Sequence, residues 1–293
     1  MNVSFFHGKT AQQASYRYRG AIPARELGVP MNDESATIWI VSKIDRGTPA
    51  LIERAHAHGK RVIVDACDLH FAMPWYRASI EMADQLTTPT RVSASILYED
   101  FGRPVAVIPD PYELQEASPH VCGLNLFWFG HAQNYYSLEP WLPALKGYTL
   151  RVMSNVEGAI PWSLDRLQEE LAWADVVLIP ETAPYKSANR AVEAIRQGCF
   201  VVAEPHPSLM DMPGIWVGNL LKGIQWVEQN PQVANERIRE SQNYVREHYS
   251  QARVANAWRT LIQACASSWG VDISPGLDGS TSMAVEPQTA PMS

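Results

Sequence analysis

The chain has 293 residues, 46% of them hydrophobic, and a formal net charge of −7 from 24 Lys and Arg against 31 Asp and Glu. This length suits two domains of ordinary size, and the acidic balance provides no overall field that would attract nucleic acid or an anionic membrane. The four widely spaced cysteines fit neither a zinc site nor a secreted disulfide framework. No apolar run is as long as a membrane span, and the N-terminal segment lacks the features of a signal peptide, so we expect a cytoplasmic protein.

Short apolar runs and helical patterns follow one another through the first half of the chain. Strand-like runs occupy residues 3–6, 36–41, 61–65, 85–88 and 105–108, and helical spacing occupies residues 48–58 and 74–83. Hydrophobic strands separated by helices are typical of a parallel sheet covered on both faces. The pattern stops at residues 110–119, where two prolines and several polar residues predict a linker.

A second series of strands and helices follows the linker. Its strand-like runs occupy residues 124–130, 148–153, 175–179, 199–203 and 215–217, and helical patterns occupy residues 163–174, 220–229, 232–249 and 251–269. The sequence therefore predicts two Rossmann-like α/β domains facing a cleft, residues 1–117 and residues 118–269, the second with closing helices. Residues 270–293 have no periodicity, and we expect them to form a disordered tail. Neither domain has a G-x-G-x-x-G motif, which argues against a dehydrogenase.

The segment between the predicted strands 175–179 and 199–203 carries the clearest chemical signal. We expect Lys186 and Ser187 to begin a helix there, where free backbone N–H groups and the helix dipole favour a bound anion. Glu193 lies about two turns further along. An anion site with a carboxylate nearby suits a phosphate joined to a hydroxyl-rich group, such as a nucleotide sugar. The alternative is an ordinary serine cap followed by a solvated glutamate.

Two further groups of polar residues lie in the first domain. Asp65, Asp68 and His70 lie at and just beyond the end of the predicted strand 61–65, where a carboxylate could accept a proton or stabilise developing positive charge. Capping of the next helix, or binding of a divalent metal, would also explain them. The second group, Ser15, Arg17 and Arg19, sits among tyrosines. It could hold a phosphate-bearing ligand or contact nucleic acid, and the net charge of −7 favours the first.

Several segments together resemble the GT-B glycosyltransferases, nearest the large retaining group known as family four or "glycosyl transferases group 1". The similar segments are residues 83–90, 107–111, 126–130 and 175–180, then 186–190 with Glu193. The resemblance implies transfer of a sugar from a nucleoside-diphosphate sugar, such as a UDP-sugar, to an acceptor hydroxyl. It implies no metal ion or other cofactor, a donor bound by the second domain and an unidentified acceptor bound by the first. It also assigns catalysis to Asp65, Asp68 or His70.

The resemblance also implies a set of donor-binding residues, in which this chain departs from the family at two points. Tyr185 occupies the position of the first glutamate of the family's E-x7-E pair, and Glu193 occupies the second, which binds the donor ribose. No Arg and Lys pair follows Gly130, so phosphate binding falls to Lys186 and to arginines from elsewhere. We expect Arg17 and Arg19 rather than Arg25 or Arg190. The donor-binding set is Gly130, His131, Tyr185, Lys186, Ser187, Ala188, Asn189, Arg190 and Glu193.

Three other functions remain open on the sequence. The broken glutamate pair and the missing Arg and Lys pair favour a non-catalytic binding or partner subunit with the same fold. A sugar-nucleotide epimerase or hydrolase is the second alternative. The third is a viral-type glycosyltransferase that modifies DNA bases, and it is the reason that nucleic acid stays open as a partner.

Overall fold

The computed structural model of the protein describes residues 2–8 and 11–273. Two parallel sheets of five strands, each surrounded by helices, confirm the predicted α/β architecture. Among the described residues, no helix combines the length and the apolar character that crossing a membrane requires.

The first sheet has the strand order β1-β2-β3-β4-β5. Most of its strand residues are buried, as expected for continuous apolar runs in a sheet covered on both faces. Helices α3 to α5 pack on one face, and α2 packs on the other. The elements are β1 Val3–His7, α1 Ala14–Tyr16, a π-helical stretch Arg17–Ala21, α2 Ile22–Leu27, β2 Ile38–Ser42, α3 Thr48–Ala57, β3 Arg61–Asp65, α4 Pro74–Met82, β4 Gln85–Thr88, α5 Arg91–Phe101 and β5 Val105–Val107.

The second sheet has the strand order β10-β9-β8-β6-β7. Its five strands appear where the apolar runs of the sequence predict them. The elements are β6 Asn125–Phe129, two short 3-10 helices Ala132–Ser137 and Glu139–Trp141, β7 Thr149–Met153, α6 Leu164–Trp173, β8 Val176–Ile179, α7 Asn189–Arg196, β9 Phe200–Ala203, β10 Trp216–Val217, α8 Leu220–Gln229, α9 Pro231–Tyr249 and α10 Gln251–Trp269.

The last helix, α10, belongs to the first domain, although the sequence-based boundary placed it in the second. Its apolar face, which includes Val254, Trp258 and Ile262, is buried in the same core as Phe5 of β1. The rings of Trp258 and Phe5 meet edge to face, with their centroids 5.3 Å apart. α10 therefore completes the cover of the sheet face on which α2 lies.

The predicted tail overlaps this region. Val271 and Ile273, which follow α10, pack against the first domain's core. The rest of that prediction, residues 274–293, lies outside the described residues.

The chain crosses between the two domains twice, and the crossings lie side by side. The first is the predicted linker, residues 110–119, and the second is Ser250 between α9 and α10. The backbone N–H of Tyr112 donates to the carbonyl of Tyr249 at 3.0 Å. The side-chain amide of Gln251 donates to the carbonyl of Tyr112, also at 3.0 Å.

In each sheet one strand, here called the reversal strand, has later parts of the chain on both of its sides. β1 pairs with β2 on one edge, and its Phe5 forms a parallel bridge with Met31 on the other. β6 lies between β7 and β8, so the chain passes to one side of β6 and returns to the other. Ligands of open parallel sheets bind beyond the carboxyl end of such strands. We therefore expect a ligand site beside the residues that follow β1 and β6.

Candidate active site

The turn between β8 and α7 carries contacts from the second domain to the first. The carbonyl of Tyr185 accepts hydrogen bonds from the Thr90 hydroxyl at 3.1 Å and the Ser93 hydroxyl at 3.0 Å. The Ser187 hydroxyl donates to Asp110 at 2.6 Å. Because Thr90 follows β4 and the turn follows β8, the carboxyl ends of the two sheets face the same space.

Helix α7 begins at Asn189, so the prediction that Lys186 and Ser187 begin it is wrong by three residues. Both lie in the turn before the helix. Ala188 occupies the N-cap and provides no side-chain acceptor. Within the described part of the chain, the N–H groups of Asn189, Arg190 and Ala191 have no hydrogen-bond partner, since the first bond back into the cap is from Val192 to Ala188. This end of the helix therefore keeps free donors and its partial positive charge.

Arg190 places a full positive charge at the same end of α7. One guanidinium N–H donates to the carbonyl of Phe129, the last residue of β6, at 3.3 Å. No carboxylate among the described residues forms an ion pair with it. Partial burial without a carboxylate lowers the pKa of Arg190 to about 10, so the group is still charged at neutral pH. The reversal strand β6 thus ends beside an unneutralised cation.

Lys186 forms an ion pair with the first domain. Its ammonium lies 3.0 Å from Oδ1 of Asp68, in the loop after β3. Oδ2 of Asp68 takes the ammonium of Lys43, which follows β2. Burial acts to raise the pKa of Asp68, but the two ammonium groups outweigh it and hold that pKa well below its usual range. Asp68 is therefore ionised and doubly paired in this arrangement.

Asp65 and Arg19 form a buried ion pair instead of facing a ligand. The guanidinium of Arg19 spans both carboxylate oxygens, at 2.9 and 2.6 Å, and the Thr87 hydroxyl donates to Asp65 at 2.8 Å. Arg19 also contacts Asp110 at 3.3 Å and is 1% exposed. The phosphate-binding role expected of Arg19 and the catalytic role expected of Asp65 do not agree with this geometry, since either role would require breaking the network.

The other predicted arginines are paired as well. Arg17 binds Glu113 of the linker, with Nε 2.7 Å from the carboxylate, and lies over Trp162 with its guanidinium carbon 5.0 Å from the ring centroid. Arg25 is on the surface, paired with its neighbour Glu26. Ser15 is half-buried and has no side-chain hydrogen bond among the described residues. Of the four candidate arginines, Arg190 is therefore the one whose charge remains available.

Glu193 is buried and bonded to the linker. Its carboxylate accepts from the Tyr18 hydroxyl at 3.0 Å and from the backbone N–H groups of Glu113 and Leu114 at 2.8 and 3.1 Å. Burial raises the pKa of Glu193 to about 7, although these three donors oppose the shift. With 2% of its surface exposed, Glu193 holds the two domains and the linker together, in place of the open ribose contact that the resemblance implies.

The remaining predicted residues, His70, Gly130 and His131, take no part in these ion pairs. His70 is exposed, with its ring centroid 6.1 Å from that of Trp75. Gly130 donates its N–H to Met153 at 3.1 Å, and the exposed His131 accepts from the N–H of Gln133 at 3.2 Å at the start of a 3-10 helix. No group of three or more His, Cys, Asp or Glu within residues 2–8 and 11–273 is placed to hold a metal ion.

A cavity that the sequence analysis missed lies at the end of the reversal strand β1. It has a volume of about 300 Å³. Asn32 and Lys43 line it and have left-handed backbone conformations, with φ of 55° and 62°. Residues other than glycine seldom adopt such angles outside functional or tightly constrained sites. Its polar lining includes His7, Asn32, Ser42, Lys43, Asp45 and Thr48. The run of polar residues directly after the apolar strand β2 is the signal that could have found it.

No protein-family profile and no curated protein matches the chain. Solved structures do match it. HepE from Anabaena, crystallised with UDP-glucose, superposes with a TM-score of 0.69 at 12% identity over 89% of this chain and 99% of that one. TarM gives a TM-score of 0.61 at 12% identity over 78% and 55% of the two chains. An α1,3-fucosyltransferase gives 0.57 at 8% identity over 89% and 90%.

The chain has the GT-B glycosyltransferase fold. The resemblance inferred from sequence is confirmed at the level of the fold, since identities of this size carry no more than that.

Proposed function

We propose that the protein is a glycosyltransferase that moves a sugar from a nucleoside-diphosphate sugar to an acceptor hydroxyl. The observation that carries the proposal is the unpaired guanidinium of Arg190 beside the uncapped N-terminus of α7. Both lie where β6 ends, at the reversal strand of the second sheet. A cation and free N–H groups converging on one position favour a multiply charged anion such as a diphosphate.

The same groups suit the chemistry of glycosyl transfer. Breaking the bond between the sugar and the diphosphate leaves additional negative charge on the leaving oxygen. Arg190 and the free N–H groups of α7 would stabilise that charge at the moment it develops. Arg190 would thus supply the positive charge that the family places after its first donor-domain strand. This chain has no such residues after Gly130.

The first domain offers a place for the acceptor. The 300 Å³ cavity beyond β1 is large enough for a single sugar ring, and its lining includes both hydrogen-bond donors and acceptors, which suits a hydroxyl-rich group. Of the three residues predicted for catalysis, Asp65 is fully buried, Asp68 contacts Lys186 of the second domain, and His70 is exposed in the same loop as Asp68. We assign the handling of the acceptor proton to His70, since both carboxylate oxygens of Asp68 are paired with lysines.

Binding of UDP to an Arg190→Met variant tests the proposal. The crystallised complexes of HepE contain UDP or UDP-glucose, which makes UDP the first probe. We expect the wild type to bind UDP and to hydrolyse UDP-glucose slowly without an acceptor. Loss of a charge-assisted contact should weaken UDP binding by about ten- to a hundredfold. Isothermal titration measures the affinity, and Arg25→Met, which removes an exposed arginine, is the matched control.

Two results would count against the proposal. Unchanged UDP affinity in Arg190→Met would remove its basis. Absence of binding to UDP, GDP and ADP by the wild type would contradict any function as a nucleotide-sugar enzyme.

A non-catalytic nucleotide-binding subunit is the second candidate. Tyr185 at the first glutamate position and Glu193 bound to the linker favour it, because both departures remove acidic groups from the donor site. Binding of UDP without turnover of UDP-sugars, alone or with acceptor sugars, would support this candidate over the first.

A further inference from the structure

Three charged side chains from separate elements meet where the two domains face each other. Lys43 follows β2, Asp68 follows β3, and Lys186 lies in the turn between β8 and α7. The two lysines bind different oxygens of Asp68, Lys43 on Oδ2 and Lys186 on Oδ1 at 3.0 Å. All three side chains are partly exposed, at 28%, 22% and 38% respectively. Ions in solution can therefore reach the group.

The charges in this group do not balance. Two ammonium groups face one carboxylate, so the group carries one surplus positive charge. If Lys186 leaves, Asp68 is still paired with Lys43. Leaving a half-buried carboxylate without any partner would be costly, and Lys43 prevents that cost. Lys186 can therefore be released from Asp68 more easily than from a simple ion pair.

The position of Lys186 makes such a release useful. It lies three residues before the first residue of α7, whose free N–H groups and Arg190 form the proposed diphosphate site. A diphosphate carries more negative charge than the single carboxylate of Asp68 and attracts the ammonium more strongly at similar distance.

We infer that Asp68 holds Lys186 in the place of the donor diphosphate, and that Lys186 transfers to the diphosphate when the donor binds while Lys43 keeps Asp68 paired. The inference rests on the proposed function and extends it. Asp68 acts as a positioning residue that competes with the substrate, and Lys43 affects donor affinity without approaching the donor. Domain contact and donor binding are thereby coupled through one lysine.

Titration of UDP into four variants tests this exchange. Lys186→Met should weaken UDP binding by about tenfold, since it removes one charge-assisted contact. Asp68→Asn should bind UDP several-fold more tightly than the wild type, because nothing holds Lys186 back. The double variant, Lys186→Met with Asp68→Asn, should have the same UDP affinity as Lys186→Met alone. Lys43→Met should bind UDP more weakly than the wild type, since releasing Lys186 would then leave Asp68 unpaired.

The cycle separates the exchange from a general effect of charge. A general effect would make Asp68→Asn tighten UDP binding equally with and without Lys186, and that result would overturn the inference. Unchanged affinity in both Asp68→Asn and Lys43→Met would overturn it too. Thermal unfolding of each variant checks folding, and Lys43→Met alone decides the question if Asp68→Asn does not fold. None of these results bears on the proposed function. That proposal stands as long as the wild type binds UDP and Arg190→Met binds UDP more weakly.

Discussion

Arg19 and Arg190 are both arginines beside the carboxyl end of a parallel strand, yet they have opposite electrostatic surroundings. Arg19 meets Asp65 and Asp110 in a buried network, whereas Arg190 meets a backbone carbonyl and the ring of Trp128 and has no carboxylate partner among the described residues. Sequence reasoning identified both as candidates and preferred the basic segment after the first strand, whose Arg17 and Arg19 are paired with carboxylates. The partners of Arg19 lie 46 and 91 residues away, and no local pattern shows such pairing.

Burial of Glu193 predicts an unusual dependence of stability on pH. Its pKa is about 7 in the folded protein, against about 4.3 for a glutamate in the unfolded chain. Between these values the folded state keeps a proton that the unfolded state releases, so the free energy of unfolding falls as the pH rises through this window. The size of this contribution is on the order of 3 kcal/mol.

Urea unfolding of the wild type and of Glu193→Gln at several pH values from about 5 to about 8 measures this effect. Glu193→Gln cannot titrate, so the wild type should lose stability relative to the variant as the pH rises. Parallel curves for the two proteins would show that Glu193 is ionised throughout, its three hydrogen-bond donors having outweighed burial.

At the scale of elements, the apolar periodicity predicted all ten strands and most helices. It gave no helix at the short α1 and α2 or at α5, and the buried face of α5 consists of Ser93 and Leu97, which gives little apolar contrast. It also began α7 three residues early, because Lys186 and Ser187 fit a helix start equally well. Their positions were decided by contacts with Asp68 and Asp110 of the first domain, which the sequence does not reveal.

The turn after α7 depends on a glycine. Gly198 has φ of +81°, and a Cβ there would lie 2.3 Å from the carbonyl oxygen of Ser118 in the linker. Gly102, which ends α5, has φ of +63° with nothing within 4 Å of a Cβ. Gly102→Ala should therefore cost about 1–2 kcal/mol, for the backbone conformation alone. Gly198→Ala should cost about 1–3 kcal/mol more, because it also forces the linker away from α7.

Chemical denaturation of the two variants provides this comparison. The matched pair isolates the linker contact, since both glycines follow a helix and both have positive φ. Equal losses of stability would show that the linker moves freely away from α7.

At the scale of the whole molecule, the two-domain α/β architecture was predictable, whereas the return of α10 to the first domain was not. Alternating strands and helices specify two sheets, and the proline-rich segment 110–119 marks the point between them. The amphipathic pattern of α10 shows that one face is buried without showing against which sheet. Its partners, Phe5 and Ile40 among them, lie more than two hundred residues earlier in the chain.

Trp258 lies on the last helix, α10, and should therefore stabilise the first domain, whose sheet is formed by the N-terminal part of the chain. It is fully buried against β1 and lies over Arg19, with the guanidinium carbon 5.5 Å from its ring centroid. Trp258→Ala should cost about 3–5 kcal/mol. Amide exchange should accelerate first in β1 and β2, with the second sheet less affected.

Hydrogen exchange followed by mass spectrometry resolves the two sheets. Leu261→Ala, on the same helix but only partly buried, should show a smaller effect in the same segments. Faster exchange confined to β6 through β9 would contradict the placement of α10 on the first domain.

The two chain crossings, fastened to each other through Tyr112, Tyr249 and Gln251, limit how the lobes can move. Two domains joined by a single chain segment can rotate relative to each other about any axis. Two domains joined by two adjacent segments rotate only about the axis that passes through both segments. Such a swing scarcely changes distances near the axis and changes them most at the far mouth. Under the proposed function, a nucleotide would enter by separating only the contacts at that mouth, and the two domains would regain the same relative position when it leaves.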